Sequence, residues 1–284
     1  MTSVLANPDH APPRAPARPL GLLVPMTSPW VHRRLLANLA GREVAQRYRG
    51  SVLGVLWALA GPLLQLLVYA VVFGWLLGPR LGEADRAAYV IYLFCGIVVF
   101  GIFAEVTGRA PMLVLEKQAL ITKVAFPLEL TPLVALWGAL VPAGLGLVLL
   151  LGAVLWWQGS VPWTAVLLIV PLVPLSMLTV GLAWILAAVG VYIRDAQHAV
   201  RAGVQLWFFL TPVVWPLSLA PEGVRWLVML NPLAWAVEWS RDVLIRGELP
   251  GLMPLLVVTG ASAAVLLIGA WCFQTLRRGF ADVV

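Results

Sequence analysis

Charged residues are scarce in this chain. Only 11% of its 284 residues are Asp, Glu, Lys or Arg, whereas 61% are hydrophobic. A soluble domain carries about 25% charged residues, and no water-soluble core of this size could hide so much apolar surface. One run of 30 residues, positions 50–79, has no charged side chain at all, and as a helix it would be about 45 Å long. Because the hydrocarbon core of a bilayer is about 30 Å thick, the sequence predicts a membrane-spanning protein.

Several chemical signatures are also missing. The chain has no glycine-rich phosphate loop, and its only lysines, Lys117 and Lys123, do not follow a glycine-rich turn. We therefore expect it to bind no cofactor and not to hydrolyse ATP. No acidic residue lies in the middle of an apolar run, which disfavours a proton- or sodium-coupled carrier. The carboxylates, histidines and two cysteines do not cluster as a metal site or a metal-dependent membrane transferase would require.

Six apolar runs predict an all-α, polytopic membrane protein with six transmembrane helices. Gly-Pro and Pro-rich joints separate these runs, and membrane helices tolerate such joints when neighbouring helices satisfy the backbone. The predicted spans are residues 52–77, 88–104, 130–157, 164–193, 202–219 and 252–276.

The residues before the first span divide into two parts. Residues 1–27 are rich in Pro and Ala and predict a disordered cytoplasmic tail. A helix-start signal, Ser28 followed by Pro29, predicts that a basic interfacial helix covers residues 28–49. In that helix the leucines share one face and the arginines the other, which is typical of an amphipathic helix on a membrane surface. The alternative is a solvated basic helix.

Lysine and arginine are distributed unevenly between the predicted loops. With six spans both termini lie on one side, and that side carries 14 of the 19 Lys and Arg residues. Positive residues concentrate on the cytoplasmic side of membrane proteins. We therefore predict a multi-pass protein of the inner membrane with both termini cytoplasmic. The same distribution accounts for the net charge of +6 without a nucleic-acid partner.

Two connecting segments are too long and too patterned to be plain loops. Residues 105–129, predicted to be cytoplasmic, and residues 220–251, predicted to be outside, both interleave apolar and charged residues. Two short helices dipping into the outer leaflet would fit the second segment. Since the chain has membrane spans but no energy source of its own, we expect a partner to supply the driving force and to dock on residues 105–129.

Specific strings at four places resemble the ABC-2-type permeases. The closest likeness is to the branch that exports polysaccharides and polyol phosphates, which contains the O-antigen exporter membrane subunit and its teichoic acid relative. The strings are RYRGSVLGVLW at positions 47–57 with GPL at 61–63, LITKVAFPLE at 120–129, RD at 194–195 with QLWFFLTP at 205–212, and NPLA at 231–234 with Glu238 and Arg241-Asp242. The family often has Arg where Leu128 stands, so we expect no salt bridge from that position.

This resemblance implies the ABC-2 permease fold over residues 28–284, with an N-terminal interfacial helix, six spans and short outer re-entrant gate helices. It implies a homodimer bound to two separate ATPase subunits, which would hold ATP and Mg²⁺. The implied function is export of an undecaprenyl-diphosphate-linked polysaccharide, O-antigen first, by a transport channel subunit that is not an enzyme. Teichoic acid or capsule export, an ABC-2 permease for a drug or small lipid, and a membrane-embedded transferase are the alternatives.

Two arginines and five polar or aromatic residues are candidates for the entrance and the channel. Arg47 and Arg49 either recognise the lipid diphosphate, which suits the bidentate guanidinium group, or anchor the chain at the headgroups. Polar amides beside aromatic rings suit a sugar channel, although polar packing between helices is the alternative. The predicted channel residues are Gln65, Tyr69, Gln205, Trp207 and Phe209.

Two further groups are assigned to coupling and to an outer gate. The alternative for the coupling residues is a solvated loop, and for the gate residues it is dimer contacts or a solvated outer face. An apolar socket for the ATPase is predicted at Met112, Leu113, Leu115 and Leu120. The predicted coupling residues are Glu116, Lys117, Lys123, Arg194 and Asp195. The predicted gate residues are Trp235, Glu238, Arg241 and Asp242.

Overall fold

The computed structural model describes residues 24–47, 49, 56–72, 86–117, 127–217 and 220–280, and every regular element in these ranges is helical. Short 3-10 turns extend or join the α-helices at Ala110–Met112, Leu115–Lys117, Leu128–Leu130, Trp163–Leu168 and Arg277–Gly279, and a π-helical turn covers Asp242–Arg246. The α-helices are α1 (Val24–Val31), α2 (Arg33–Arg47), α3 (Leu56–Tyr69), α4 (Arg86–Arg109), α5 (Thr131–Gln158), α6 (Ile169–Tyr192), α7 (Ala196–Leu210), α8 (Glu222–Met229), α9 (Pro232–Arg241) and α10 (Leu252–Leu276).

Four helical stretches in the described ranges are long and apolar enough to cross a membrane. They are Arg86–Met112, Leu128–Gln158, Trp163–Tyr192 and Leu252–Gly279, and they match the second, third, fourth and sixth predicted spans. The helix of the second predicted span begins two residues earlier than predicted, at Arg86, and continues past Ala104. It continues because Glu105 and Arg109 form ion pairs with α2 and so do not end the helix.

The first and fifth predicted spans are not among these four stretches. A shorter apolar helical stretch, Leu59–Val72, accounts for part of the first span, and residues 52–55 and 73–77 lie outside the described residues. The predicted bounds of the fifth span are wrong: its helix, α7, runs from Ala196 to Leu210 instead of covering residues 202–219. The total of six spans therefore stays a prediction.

The predicted start of the interfacial helix at Ser28 is wrong. Helix α1 already begins at Val24 and includes Pro29, and the chain turns at His32 before α2. Ser28 does not cap a helix, because it is buried and its hydroxyl donates a hydrogen bond to Glu129 Oε1 at 2.9 Å. A tertiary contact has thus taken the hydroxyl that the sequence pattern assigned to a cap.

Helix α2 has no fully buried residue, and its apolar and charged faces are only weakly separated. Leu35, Leu36 and Leu39 are partly buried, whereas Arg33 and Arg34 are exposed. The less exposed face of α2 packs along α5. The interfacial and the solvated interpretations of α2 both stay predictions.

The positive residues gather at the two ends of the helical bundle as the loop count grouped them. We call one end the α2 end, where α2 meets the end of α4 and the start of α5, and where Arg277 at the end of α10 pairs with Glu129. The other is the α9 end, which holds α8, α9 and the start of α10. Arg109, Lys117, Arg194 and Arg277 lie at the α2 end, and Arg86, Arg225, Arg241 and Arg246 lie at the α9 end. That the α2 end faces the cytoplasm remains a prediction.

Glycine contacts hold the middle of the bundle together. A Cβ atom at Gly269 of α10 would overlap the Gly181 carbonyl oxygen of α6, and one at Gly181 would lie 2.7 Å from Leu266 Cα. A Cβ atom at Gly190 would likewise overlap the Pro111 carbonyl oxygen, so Gly190 lets the turn after α4 pack directly on α6. Small residues allow such close backbone approach, which drives helix association in lipid where the hydrophobic effect does not.

The crossing of α6 and α10 gives the first testable prediction. Replacing Gly269 by Val should separate the two helices and lower the free energy of unfolding by about 2 kcal/mol or more. The loss would be seen as a lower melting temperature of the purified protein in detergent. Gly260→Val is the matched control, because Gly260 lies exposed on the same helix and a Cβ atom there would meet no neighbouring group within 4 Å. Equal melting temperatures for the two variants would contradict the proposed close contact.

Candidate functional site

A fully buried arginine organises the α9 end. Arg241, the last residue of α9, has no exposed side-chain surface. Its Nη1 donates to the Pro212 carbonyl at 2.7 Å and to Glu238 Oε1 at 2.6 Å. Its Nη2 donates to the Val213 carbonyl at 2.7 Å, and its Nε to the Tyr92 carbonyl at 3.1 Å. The guanidinium also stacks 3.4 Å from the centre of the Tyr92 ring, which adds a cation–π interaction.

The neighbouring charges complete one network. The Tyr92 hydroxyl donates to Glu238 Oε1 at 2.8 Å, and Arg246 Nη1 donates to Asp242 Oδ1 at 2.5 Å and approaches Glu238 Oε2 at 3.5 Å. Burial raises the pKa of the Asp242 carboxyl above its ordinary value, and the hydrogen bond from Arg246 opposes that rise. Three of the four predicted gate residues therefore belong to one connected cluster, and the solvated outer face is excluded for Arg241.

Trp235, the fourth predicted gate residue, has a different environment. Its indole Nε1 donates to the Met229 carbonyl at 2.7 Å, and its ring packs against Trp239 with centroids 5.3 Å apart. These contacts tie the end of α8 to α9. Trp235 thus fixes the hairpin of the two short helices beside the ion network.

An aromatic groove of about 670 Å³ opens beside this cluster, between the end of α7 and α8. Trp207 and Phe209 line it together with Trp215 and Asn231. The Trp207 indole donates to Asn231 Oδ1 at 3.1 Å, and Asn231 Nδ2 donates to the Thr211 hydroxyl at 2.9 Å. Asn231 also caps α9, since its Oδ1 accepts from the Leu233 N–H at 3.1 Å. The groove is apolar apart from a few fixed polar groups, as ligand-binding clefts are.

The other predicted channel residues lie elsewhere. Gln65 lines a second cavity of about 400 Å³ between α3, α4 and α5, and its Nε2 donates to the Tyr69 hydroxyl at 3.3 Å. Gln205 is exposed on α7 and does not line the aromatic groove, whose lining begins at Trp207. Within one chain the structure therefore divides the predicted channel residues between two cavities and one open helix face.

Ion pairs connect α2 to α4 at the opposite end. Arg47 pairs with Glu105, and Arg109 Nη1 donates to Glu43 Oε1 at 2.8 Å. Arg109 also lies 3.6 Å from the carboxylate of Glu116. Arg47, predicted as an entrance residue, is thus engaged by a carboxylate. Arg49 is exposed just beyond the end of α2.

The predicted coupling residues are only partly brought together. Glu116 and Lys117 line a groove of about 170 Å³ with Leu39 and Arg42 of α2. Arg194 and Asp195 are exposed at the turn between α6 and α7, and Lys123 lies outside the described residues.

The predicted apolar socket is wrong in one member. Leu113 is buried, with 5% of its surface exposed, because the turns that follow α4 fold back onto the core and do not project from it. Met112 and Leu115 are partly buried, and Leu120 lies outside the described residues.

A second buried charge was missed by sequence reasoning. Glu129 is 1% exposed and accepts from Arg277 Nη1 at 2.7 Å and from Ser28 Oγ at 2.9 Å. The Trp184 indole donates to the Glu129 carbonyl at 3.0 Å. Glu129 thus joins the first helix, α6 and the end of α10. Leu128, the residue before Glu129, is buried as well.

The sequence contains a signal for the ion pairs between α2 and α4 but none for the role of Tyr92. Glu43 and Arg47 are four residues apart, and so are Glu105 and Arg109, so the repeated spacing could have indicated two helix faces of alternating charge. Tyr92 carried no comparable signal, because an aromatic residue in an apolar span is most often a packing residue.

Comparisons with known proteins agree with this architecture. The model of the ABC-2 type transporter family matches residues 34–245. The chain is similar to the "O-antigen export system permease protein RfbA" of Myxococcus xanthus, with 32% identity over 89% of this chain and 96% of that protein. It is 25% identical to the protein of the same name from Klebsiella pneumoniae over 88% and 95% of the two chains. It is also 23% identical to the "Polysialic acid transport protein KpsM" of Escherichia coli over 82% and 90%.

The buried arginine gives the second testable prediction. Arg241→Met keeps much of the side-chain length but removes the donor of three backbone carbonyls and the closest ion-pair partner of Glu238, which should cost about 3–5 kcal/mol. Thermal unfolding in detergent would measure the loss. The control is Arg86→Met, because Arg86 is exposed at the same end of the bundle. Arg241→Lys should be intermediate, since one ammonium nitrogen cannot match the guanidinium fork. If Arg241→Met melted like the control, the network would not be structural.

Proposed function

Because this chain belongs to the ABC-2 type transporter family, we propose that it is the membrane subunit of a polysaccharide exporter in the inner membrane. Its cargo would be a polysaccharide linked to undecaprenyl diphosphate, with O-antigen as the first candidate. Two separate ATPase subunits would bind ATP and Mg²⁺ and supply the energy. The chain itself would provide the path, and both of its termini would lie in the cytoplasm.

One observation carries this proposal: the likeness to an O-antigen export permease extends over 89% of the chain and 96% of that relative. A match of this extent includes both end clusters and both cavities, not only the apolar helices that any two membrane proteins share. The likeness to a polysialic acid transport protein favours capsule export as the second candidate. Both candidates move long carbohydrate chains, so they require the same kind of path.

A second copy of the chain would complete that path. Helices α3 and α7 are the least covered of the apolar helices, and each carries an exposed amide, Gln65 and Gln205. Large apolar side chains beside them, such as Leu67 and Phe209, are more than half exposed. A single chain leaves these faces open, whereas a homodimer that faced them toward each other would enclose amides and aromatic rings. Such a lining suits sugars, because aromatic rings stack on their apolar faces and amides bind their hydroxyl groups.

The α2 end would serve the cargo lipid and the ATPase. Arg47 and Arg49 lie where α2 ends before α3, and they would face the lipid phosphates if α2 lies along the membrane surface. The groove lined by Glu116 and Lys117 would receive part of the ATPase subunit, with Arg194 and Asp195 exposed on the same end. At the α9 end, the Arg241 cluster and Trp235 would hold α8 and α9 as an outer gate beside the aromatic groove.

Deletion of the gene in its host tests the class of function. Loss of an exporter should remove the polymer from the cell surface and cause lipid-linked polymer to accumulate inside, and a plasmid copy should reverse both effects. Loss of the surface polymer without internal accumulation would indicate a role in polymer assembly. An unchanged surface polymer would overturn the proposal in favour of a drug or small-lipid permease.

Cysteine accessibility tests the path. Cys95 and Cys272 are the chain's own cysteines, and a background with both replaced by Ala would be used. Gln205→Cys should react with a water-soluble thiol reagent, and the reaction should block export because Gln205 would face the path. Leu267→Cys on α10 is the control, since Leu267 is exposed on an outward apolar helix. Equal reactivity at the two positions would place Gln205 against lipid and contradict the path.

A further inference from the structure

Helices α2 and α4 carry the same charge pattern, a glutamate followed four residues later by an arginine, and the two helices run antiparallel. On α2, Glu43 precedes Arg47 by four residues, and on α4, Glu105 precedes Arg109 by four residues. Glu43 pairs with Arg109 and Arg47 pairs with Glu105, so the lower number on one helix meets the higher number on the other. This is the pairing of two antiparallel helices. We call each of these two ion pairs a rung. The two rungs are about 6 Å apart along each helix.

The two rungs are shielded from solvent to a useful degree. The side chains of Glu43 and Arg109 are 15% and 33% exposed, and those of Arg47 and Glu105 are 25% and 28% exposed. Attraction between opposite charges is screened less in such a partly buried position than on an open surface. Two adjacent ion pairs also hold the register between the helices, because sliding by one turn would break both pairs and bring two like charges together.

The backbone of α5 leaves room for this arrangement. Helix α2 packs along α5, and a Cβ atom at Gly138 of α5 would lie 3.1 Å from Glu43 Cγ and 3.6 Å from Arg47 Nη2. Glu43 and Arg47 therefore pass directly over Gly138 on their way to α4. A side chain at position 138 would push both away.

The pairs also connect regions that differ in role. Arg109 reaches Glu116 at 3.6 Å, and Glu116 lines the groove beside α2. Glu105 lines the cavity that contains Gln65. A displacement of α2 would therefore act on the wall of that cavity through Glu105 and on the groove through Arg109.

We propose that Glu43, Arg47, Glu105 and Arg109 form an ion clasp that makes α2 and α4 move as one body. This inference rests on the proposed function, since it assigns the ion clasp the task of carrying motion from the ATPase-facing end to the path. Glu43, Glu105 and Arg109 are thus positioning residues for transport, which act through the placement of α2 and not by contact with the polymer.

Charge exchange across one rung tests the ion clasp itself. Glu43→Arg and Arg109→Glu each place like charges together, and each should lower the melting temperature of the purified chain. The double variant E43R/R109E restores opposite charges and should recover most of the loss. Arg34→Glu is the control for a change of charge on α2, because Arg34 is exposed on the opposite face of the helix. If the double variant were as unstable as the sum of the two single variants, the ion clasp would be overturned.

The same variants test the transmission of motion in the full complex. The chain and the ATPase that copurifies with it from the host would be placed in vesicles with lipid-linked polymer extracted from the deletion strain. Each single reversal should lower the polymer exported per ATP hydrolysed by about fivefold or more, the factor that corresponds to about 1 kcal/mol, and the double variant should recover it. If a single reversal does not fold, Glu43→Gln and Glu105→Gln give the same comparison with a smaller expected effect.

The outcomes separate this inference from the proposed function. No ATP-dependent export by the wild-type complex would contradict the proposed function. Wild-type export together with unchanged export per ATP in the reversed variants would overturn the transmission of motion and leave the proposed function standing. Recovery of both stability and export in E43R/R109E, with normal behaviour of Arg34→Glu, would support the ion clasp.

Discussion

The structure depends on the cost of placing a charge away from water. An unpaired buried charge costs several kcal/mol, and a bilayer offers no water to reduce that cost. The chain meets this constraint by gathering its charges at the two ends of the bundle and by giving the buried ones partners. Glu129 is met by Arg277 and Ser28, and Arg241 by Glu238 and three carbonyls. Because several of these partners lie in distant segments of the chain, satisfying the charge also fixes how the helices end.

The middle of the bundle is held by another kind of contact and leaves two helices less covered. Helices α4 and α6 supply half of the largest fully buried side chains, and α10 lies against α6 at Gly181 and Gly269. Helices α3 and α7 are outside this close packing, with most of their side chains partly or fully exposed. A permease needs a rigid frame beside faces that can meet cargo or a second copy. The division between glycine-packed helices and exposed amide-bearing helices provides both.

The sequence predicted what composition controls and missed what depends on distant partners. Long charge-free runs identified four spans, because apolar length is a local property. The early end of α7 and the early start of α1 were not predictable, since Arg241 and Glu129, which lie far away in sequence, take the groups that local patterns assigned to a helix or a cap. The four residues predicted as a gate are neighbours in sequence, and three of them lie in one ion network, while their role as a gate stays a prediction. Tyr92 also binds Glu238, but it lies 146 residues earlier in the chain. No local pattern marks Tyr92 as part of this network.

The early end of α7 accounts for the form of the α9 end. Its 15 residues rise about 22 Å, which is less than the roughly 30 Å of hydrocarbon. If α7 is the fifth span, as predicted, non-helical backbone follows it at membrane depth, where such backbone is tolerated only if protein covers it. Arg241 binds the Pro212 and Val213 carbonyls, and the Tyr89 hydroxyl binds the Val214 carbonyl at 2.8 Å. Only a guanidinium presents several N–H groups in a fixed fork that can reach successive carbonyls, and its charge in turn requires Glu238. The aromatic groove exists because α7 stops there, so the groove and the buried arginine are two results of one break in the helix.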